Sequence, residues 1–316
     1  MPAIDGPAFR VGDALRAGMP RRAVDADTLD RPFTGLRAHP EDDRDQEGGH
    51  PLEVARDAHR RAARQFTAHM HPHEFFSHAT AALLWDLPMP AVADRIDVSV
   101  IAPHRAPSGR GVRGHQLAGP QVTTTPHAEG FAITSPASTW AQLGATVKHP
   151  YDLTAIADAV IRTPRIPGPQ GRVLRAAHST VADLVVELGR GRRIGIRELE
   201  EAVRRTRPGA ASRPETWTRL TLVDAGLPEP TLDHDVYDER GVFVGCVDLA
   251  YIALKIAIEY EGDHHRVDAA QWARDIQKHD RLAELGWRVI RVTRADVFEH
   301  PGELVVRVRG ALRSRS

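Results

Sequence analysis

FVGCVDLAYI (243–252), KIAIEYEG (255–262) and DAAQWARDIQKHDRLAELGWRVIRVT (268–293) decide the fold. The first two are short apolar, β-branched runs that read as strands. The third reads as a helix followed by a strand, WRVIRVT, with Asp268 in place to cap the helix and Gly286 to end it. Upstream, SRPETWTRLTLVDAGL (212–227) has the pattern of an amphipathic helix stopped by Gly226 and Pro228. Downstream, PGELVVRVRGAL (301–312) reads as a terminal helix. The order α–β–β–α–β–α predicts an α/β domain with a mixed central sheet over residues 210–316.

The two strands carry the chemistry. A strand alternates faces, so Glu259 and Glu261 point one way with Ala257, while Ile256, Ile258 and Tyr260 point the other. If the strands pair, Asp248 converges on those carboxylates. Clustered carboxylates repel unless a proton or a cation intervenes, and an all-oxygen ligand set suits Mg²⁺ or Mn²⁺. Solvated acids on an exposed strand edge would look the same in sequence. The run Gly262-Asp263-His264-His265 adds imidazoles and favours the metal site, with His265 the candidate general base or acid. Glu215 has two readings: a further metal ligand, or the N3 residue of a capping box begun by Ser212.

The ordered string Asp248, Glu259-Tyr-Glu261-Gly, His265, Arg274-Asp275 and Arg281-Leu-Ala-Glu-Leu-Gly286-Trp-Arg-Val-Ile-Arg-Val resembles the very-short-patch-repair endonucleases of the PD-(D/E)xK superfamily. It is closer still to a group of uncharacterised actinobacterial proteins with a similar domain. The resemblance covers roughly residues 212–312 and implies a restriction-endonuclease-like fold and metal-dependent hydrolysis of DNA phosphodiester bonds. Asp248 then matches the metal-binding aspartate, Glu259 the acidic residue of the (D/E)xK element, and His265 a histidine kept by the repair enzymes. Glu261 stands where the lysine belongs, and Lys255 lies too far along the same strand to replace it. Arg274, Arg281 and Arg291 are candidates for flanking phosphates; a pair of Arg281 with Asp275 is the structural alternative.

The front of the chain gives weaker signals. Val11, Leu15 and Met19 share one helix face, and Gly18 and Pro20 break the helix, in the outline of a truncated winged helix. FRVGDALRAGMPRRAV, SHATAALLWDLPMP and ITSPASTWAQL resemble the N-terminal region of AbiEi-type antitoxins. Residues 38–51 read as an acidic loop, RIDVSVIAP (95–103) as a strand, and residues 170–208 as helical. The expected organisation is a winged-helix-like unit over 1–50, a mixed linker domain over 51–209, and the nuclease-like domain over 210–316.

Composition excludes several classes. The 42 basic and 42 acidic side chains balance, against a polyanion-coating protein. All but three basic residues are arginine, so a catalytic lysine can only be Lys148, Lys255 or Lys278. A single cysteine, Cys246, rules out an internal disulfide framework and multi-cysteine metal sites, and reads as a buried core residue. There is no asparagine for a Cys-His-Asn hydrolase and no GxSxG elbow. His69, His71, His73 and His78 cluster without a standard metal spacing. Gly109-Arg-Gly111-Val-Arg-Gly114 fits GxGxxG formally but lacks the helix a dinucleotide site needs. Apolar runs are too short to span a membrane, and the start lacks a signal core, which predicts a soluble cytoplasmic protein. Together these features predict an Mg²⁺- or Mn²⁺-dependent endonuclease acting on DNA, possible as a homo-oligomer. The alternatives are a non-catalytic, antitoxin-like DNA-binding regulator and a partner in a toxin–antitoxin-type protein pair.

Overall fold

The computed structural model describes residues 6–40, 50–262 and 269–315, the last from 269 to 273 for the backbone alone. The chain forms two compact units: residues 1–147 with 183–196, and residues 148–182 with 197–316. Both mix helices with mixed sheets, so the fold class is α+β. No described helix is long and apolar enough to cross a membrane.

In the first unit, β1 (Phe9–Arg10) pairs antiparallel with β2 (Leu36–Arg37) and closes a cap made by α1 (Val11–Arg16) and α2 (Arg21–Val24). Phe9, Ala14 and Val24 are buried there, with Val11, Leu15 and Met19 packed against them. Next come α3 (Pro51–Phe66), β3 (Glu74–Phe76), α4 (His78–Leu84), β4 (Ile96–Ile101), β5 (Val112–Leu117), β6 (Thr124–Pro126), β7 (Ala132–Thr134) and α5 (Pro136–Leu143). The strands form one sheet in the order β5-β4-β3-β7-β6. Phe75 and Phe76 belong to β3, and the helix begins after Ser77. The glycine-rich segment turns at 110–111, bridged Gly109 to Val112, and runs directly into β5.

The second unit begins with α6 (Pro150–Ile161), a hairpin held by the Arg165–Val173 bridge, α7 (Val181–Leu188, passing into the first unit) and α8 (Ile196–Arg205). The helical character expected over 170–208 is met only at 181–188 and 196–205. Gly191 and Gly195 take left-handed φ values of 100° and 76°, which a helix does not allow. After α9 (Arg213–Asp224), the strands β8 (Thr231–Tyr237), β9 (Phe243–Tyr251), β10 (Ile256–Tyr260) and β11 (Arg288–Val292) form a sheet in the order β11-β10-β9-β8. β10 runs parallel to β11; the other pairs are antiparallel. α10 (Ala269–Glu284), α11 (Arg294–Phe298) and α12 (Pro301–Arg313) complete the unit.

Two elements of the second unit were missed in sequence. β8 is an edge strand whose TLDHDVY shows no clean apolar alternation, because Asp233 and Asp235 are used for ion pairs. α11 is a single turn fixed by the Thr293–Asp296 capping box. The two faces of β10 separate as the alternation requires. Ile256 and Ile258 join Leu222, Leu304 and Val308 in one core, while Ala257 joins Leu282 and Trp287 in the other. The sequence boundary at 209/210 does not coincide with the division of the chain. α6 packs on α9, with Asp152 accepting from Arg213 Nε (2.7 Å) and Trp217 Nε1 (2.6 Å), and Asp158 from Thr216 Oγ1 (2.8 Å) and Arg219 Nη2 (3.1 Å).

Candidate functional site

The sheet register sets the carboxylates side by side. Ala257 faces Ala250 and Ile258 faces Leu249, so Glu259 comes level with Asp248. The side chain of Asp248 continues the ladder by accepting the Tyr260 N–H at 2.8 Å. On the other flank Leu232 faces Leu249 and His234 faces Val247, which brings Asp233 level with Asp248. Arg291 pairs with Glu259 across β10 and β11. One row thus crosses four strands: Asp233, Asp248, Glu259, Arg291.

α10 lays two side chains on this row. Lys278 Nζ lies 2.8 Å from Glu259 Oε1, and His279 Nε2 lies 3.0 Å from Oε2. The ammonium approaches off the hydrogen-bond axis, leaving the buried Oε1 with an ion-pair partner but no aligned donor. Arg291 Nη2 contacts His279 Nδ1 at 2.6 Å. A guanidinium can only donate, so Nδ1 accepts, the ring proton sits on Nε2, and Nε2 donates to Glu259. Arg291 also holds Glu261 (Nε to Oε1, 2.9 Å). Gly245 makes room for the lysine: a Cβ there would stand 2.8 Å from Lys278 Cγ.

Glu215 approaches from the first turn of α9. Its Oε2 accepts Ala211 N–H and its Oε1 the Ser212 hydroxyl, both at 2.7 Å, and its own N–H donates to Ser212 Oγ at 3.4 Å. The capping role is real, with the glutamate reaching one residue past the cap. The same carboxyl lies within the field of Asp248. Burial and that charge push Glu215 up to about 8. Burial also lifts Asp248 to about 6, aided by Glu259 and opposed by the Tyr260 N–H. Glu259 is buried too, but His279 and Lys278 outweigh the burial and hold it below the usual carboxylate range. Strongly perturbed carboxyls with specific partners in one place are a mark of functional sites.

The expected residues are therefore distributed as follows. Asp248 and Glu259 stand level on neighbouring strands, Glu215 lies in the field of Asp248, and Glu261 turns to Arg291. His265 and the proposed cap Asp268 lie outside the described residues. Arg281 pairs with Asp238 (3.4 Å), and Arg274 is exposed on α10. Among the described residues no group of three or more His, Cys, Asp or Glu side chains is arranged to hold a metal ion. His71, His73 and His104 stack instead with ring centroids 5.6 and 4.1 Å apart, and His78 stacks on His115 at 4.0 Å. Cys246 donates to Asp233 Oδ1 at 3.1 Å, and burial raises its pKa, so it is no ready nucleophile. Sequence reasoning missed Lys278 and His279 as site residues. The scarcity of lysine was the available signal, since Lys278 was one of only three.

No family model matches the chain. It is similar to two uncharacterized proteins of Mycobacterium tuberculosis, Rv2248 of strain H37Rv and MT2308 of strain CDC 1551. Each is 30% identical over 198 residues, an alignment that covers 63% of this chain and 67% of the relative.

Proposed function

The chain belongs to the family of these two mycobacterial proteins, and for its C-terminal unit we propose a divalent-cation-dependent nuclease that hydrolyses DNA phosphodiester bonds, of the very-short-patch-repair kind its sequence resembles. The observation that carries this is the pairing of half-buried Asp248 with buried Glu259, and Lys278 Nζ 2.8 Å from Glu259. In this reading Lys278, arriving from α10, does the work of the lysine that Glu261 displaces from the strand.

The donor set fits Mg²⁺ or Mn²⁺. Both side chains offer hard oxygen ligands, Glu259 Oε1 lacks an aligned donor, and Asp248 and Glu215 repel each other. Mg²⁺ is commonly held by one or two carboxylates plus waters and substrate phosphate, so a pair of ligands suffices. When bound there, the ion stabilises charge on the phosphoryl oxygens and acidifies a water. Lys278 orients the attacking water and places positive charge beside the oxygens that gain negative charge. His279 fixes the plane of Glu259 through Oε2, and Arg291 fixes the tautomer of His279. Glu215, protonated at neutral pH, adds no charge to the pair until a cation or a higher pH removes its proton.

The test is nicking of supercoiled plasmid by the full chain in Mg²⁺ or Mn²⁺. Asp248→Ala should abolish it, and Lys278→Met should lower its rate by about 100-fold or more. A folded wild-type protein that never nicks would refute the nuclease. One observation favours the runner-up, a DNA-binding regulator without catalysis: both oxygens of Glu259 are already engaged by α10. That reading expects salt-sensitive DNA binding with no cleavage.

A further inference from the structure

In the first unit, three imidazoles form a column at one end of the sheet. His71 and His73 precede β3, and His104 follows β4. The register Glu74 to Val100 sets the start of β3 beside the end of β4, so the two loops meet. The rings of His71 and His73 are parallel within 5° with centroids 5.6 Å apart, and those of His73 and His104 within 14° at 4.1 Å. All three residues are exposed. The rings of His59, His78 and His115 are hydrogen-bonded, as structural histidines are. Among the described residues the three stacked rings have no such bonds. Parallel rings also set their nitrogens side by side and not around a common point, and no metal-holding group is found among the described residues.

Two clefts adjoin across the ridge His71-Pro72-His73. One, of about 690 Å³, is walled by His71 and Phe131. The other, of about 360 Å³, is walled by His73, His104 and Ile101. Glu74 and Thr124 line both. Glu74 is only 8% exposed, and its Oε2 accepts the His71 N–H at 2.9 Å. A carboxylate has acceptor sites left for further donors. Thr124 lies on β6, an edge strand. Each cleft thus offers the flat face of a ring, an apolar wall and a polar acceptor. That set fits a flat heteroaromatic ring with an amino group on its edge, which is an unpaired nucleobase. In a duplex both the faces and the edge of a base are already used. Exposed Arg105, next to His104, supplies positive charge for the phosphate of such a strand.

We propose that the first unit carries a site for single-stranded DNA, in which successive bases enter the two clefts and stack on the column of His71, His73 and His104. The site is separate from the carboxylate row of the second unit and does not depend on the nuclease reading.

The experiment measures binding of the full-length chain, in EDTA, to a fluorescein-labelled oligo(dA) strand and to an abasic strand of the same length, by fluorescence anisotropy. The abasic strand keeps the phosphates and lacks the bases. Wild type should bind oligo(dA) about 10-fold or more tighter than the abasic strand. His73→Ala and His104→Ala should each weaken oligo(dA) binding about 10-fold and leave abasic binding unchanged. His73→Phe should keep the preference, since it keeps a ring to stack on. Thermal unfolding checks that each variant is folded. Equal affinity for the two strands, or a full preference for bases in His73→Ala, would overturn the proposal. So would a loss in His73→Phe as large as in His73→Ala, which would assign the role to the ring nitrogens. Free AMP binding as tightly as the strand would assign the clefts to nucleotides and overturn the strand as ligand. A wild type that prefers oligo(dA) yet never nicks plasmid would refute the nuclease and leave this site standing.

Discussion

Glu215 performs two tasks with one carboxyl, and they conflict. As a cap it accepts Ala211 N–H and Ser212 Oγ–H, which favours the charged form; beside Asp248 and out of water it is pushed towards the neutral one. The second wins, and the pKa rises to about 8 from 4.5, while Asp248 rises to about 6 from 3.8. Raised carboxyl pKa values mean that the folded state binds more protons than the unfolded one. Stability from this source is complete below about pH 4 and is lost as pH rises through 6 to 8, at up to about 1.4 kcal/mol per pH unit per group. Without divalent ions the melting temperature should therefore fall between pH 6 and 8. Glu215→Gln should recover about 1 kcal/mol at pH 8, roughly 2–4 °C. A wild-type-to-variant gap that does not change with pH would contradict the proton linkage. Lys278 gives a second test at this scale. Gly245→Ala would put a methyl group against the lysine stem, 2.8 Å from Cγ. Plasmid nicking should fall while DNA binding persists; full nicking would show that the position of Lys278 is not critical.

Elements explain why the site is held where it is. α9 brings Glu215 to the row, and α6 fixes α9 through ion pairs that are nearly dry. Asp158 and Arg219 are each 1% exposed, and burial raises Asp158 to about 6 even with Arg219 beside it. Removing Asp158 leaves the buried Arg219 with only the half-buried Glu229 (2.9 Å) as partner, at a cost of about 3 kcal/mol. Asp158→Ala should show that loss in urea unfolding, whereas Asp57→Ala, an exposed i,i+3 partner of Arg60, should change stability by less than about 1 kcal/mol. Comparable losses in both would mean the α6–α9 pair is not buried as described. Arginines are also dense between residues 190 and 207. Arg193 binds Glu187, Arg205 binds Asp224 and Arg207 binds Glu229, so these arginines are engaged as structural partners.

At the scale of the molecule, the second unit is assembled from two stretches of chain, 148–182 and 197–316. A fragment cut at the boundary suggested by sequence, residues 210–316, would lose α6 and with it Asp152 and Asp158. Arg219 and Arg213 would then lack their aspartates. A fragment over 148–316 should unfold cooperatively by circular dichroism, and one over 210–316 should be poorly soluble or melt broadly. Equal cooperativity in both would place α6 outside the folding unit.

The sequence alone determined the local alternation of β10, which sends Ile256 and Ile258 one way and Ala257 and Glu259 the other, because a strand's period is two whatever surrounds it. It also determined the cap of α9 by Ser212, a contact three residues long. The front cap and the strand over 96–101 were legible for the same reason. It did not reveal β8, whose acids obscure the apolar pattern, nor the partners of Glu259. Lys278 is 19 positions away along the chain and reaches the carboxylate from α10. Arg165, which holds Asp233 and Asp235, comes from a segment with no motif at all. Contacts of that kind depend on which elements pack and at what register, and only the tertiary structure decides those, since burial and charge compensation are properties of neighbours in space and not of neighbours in sequence.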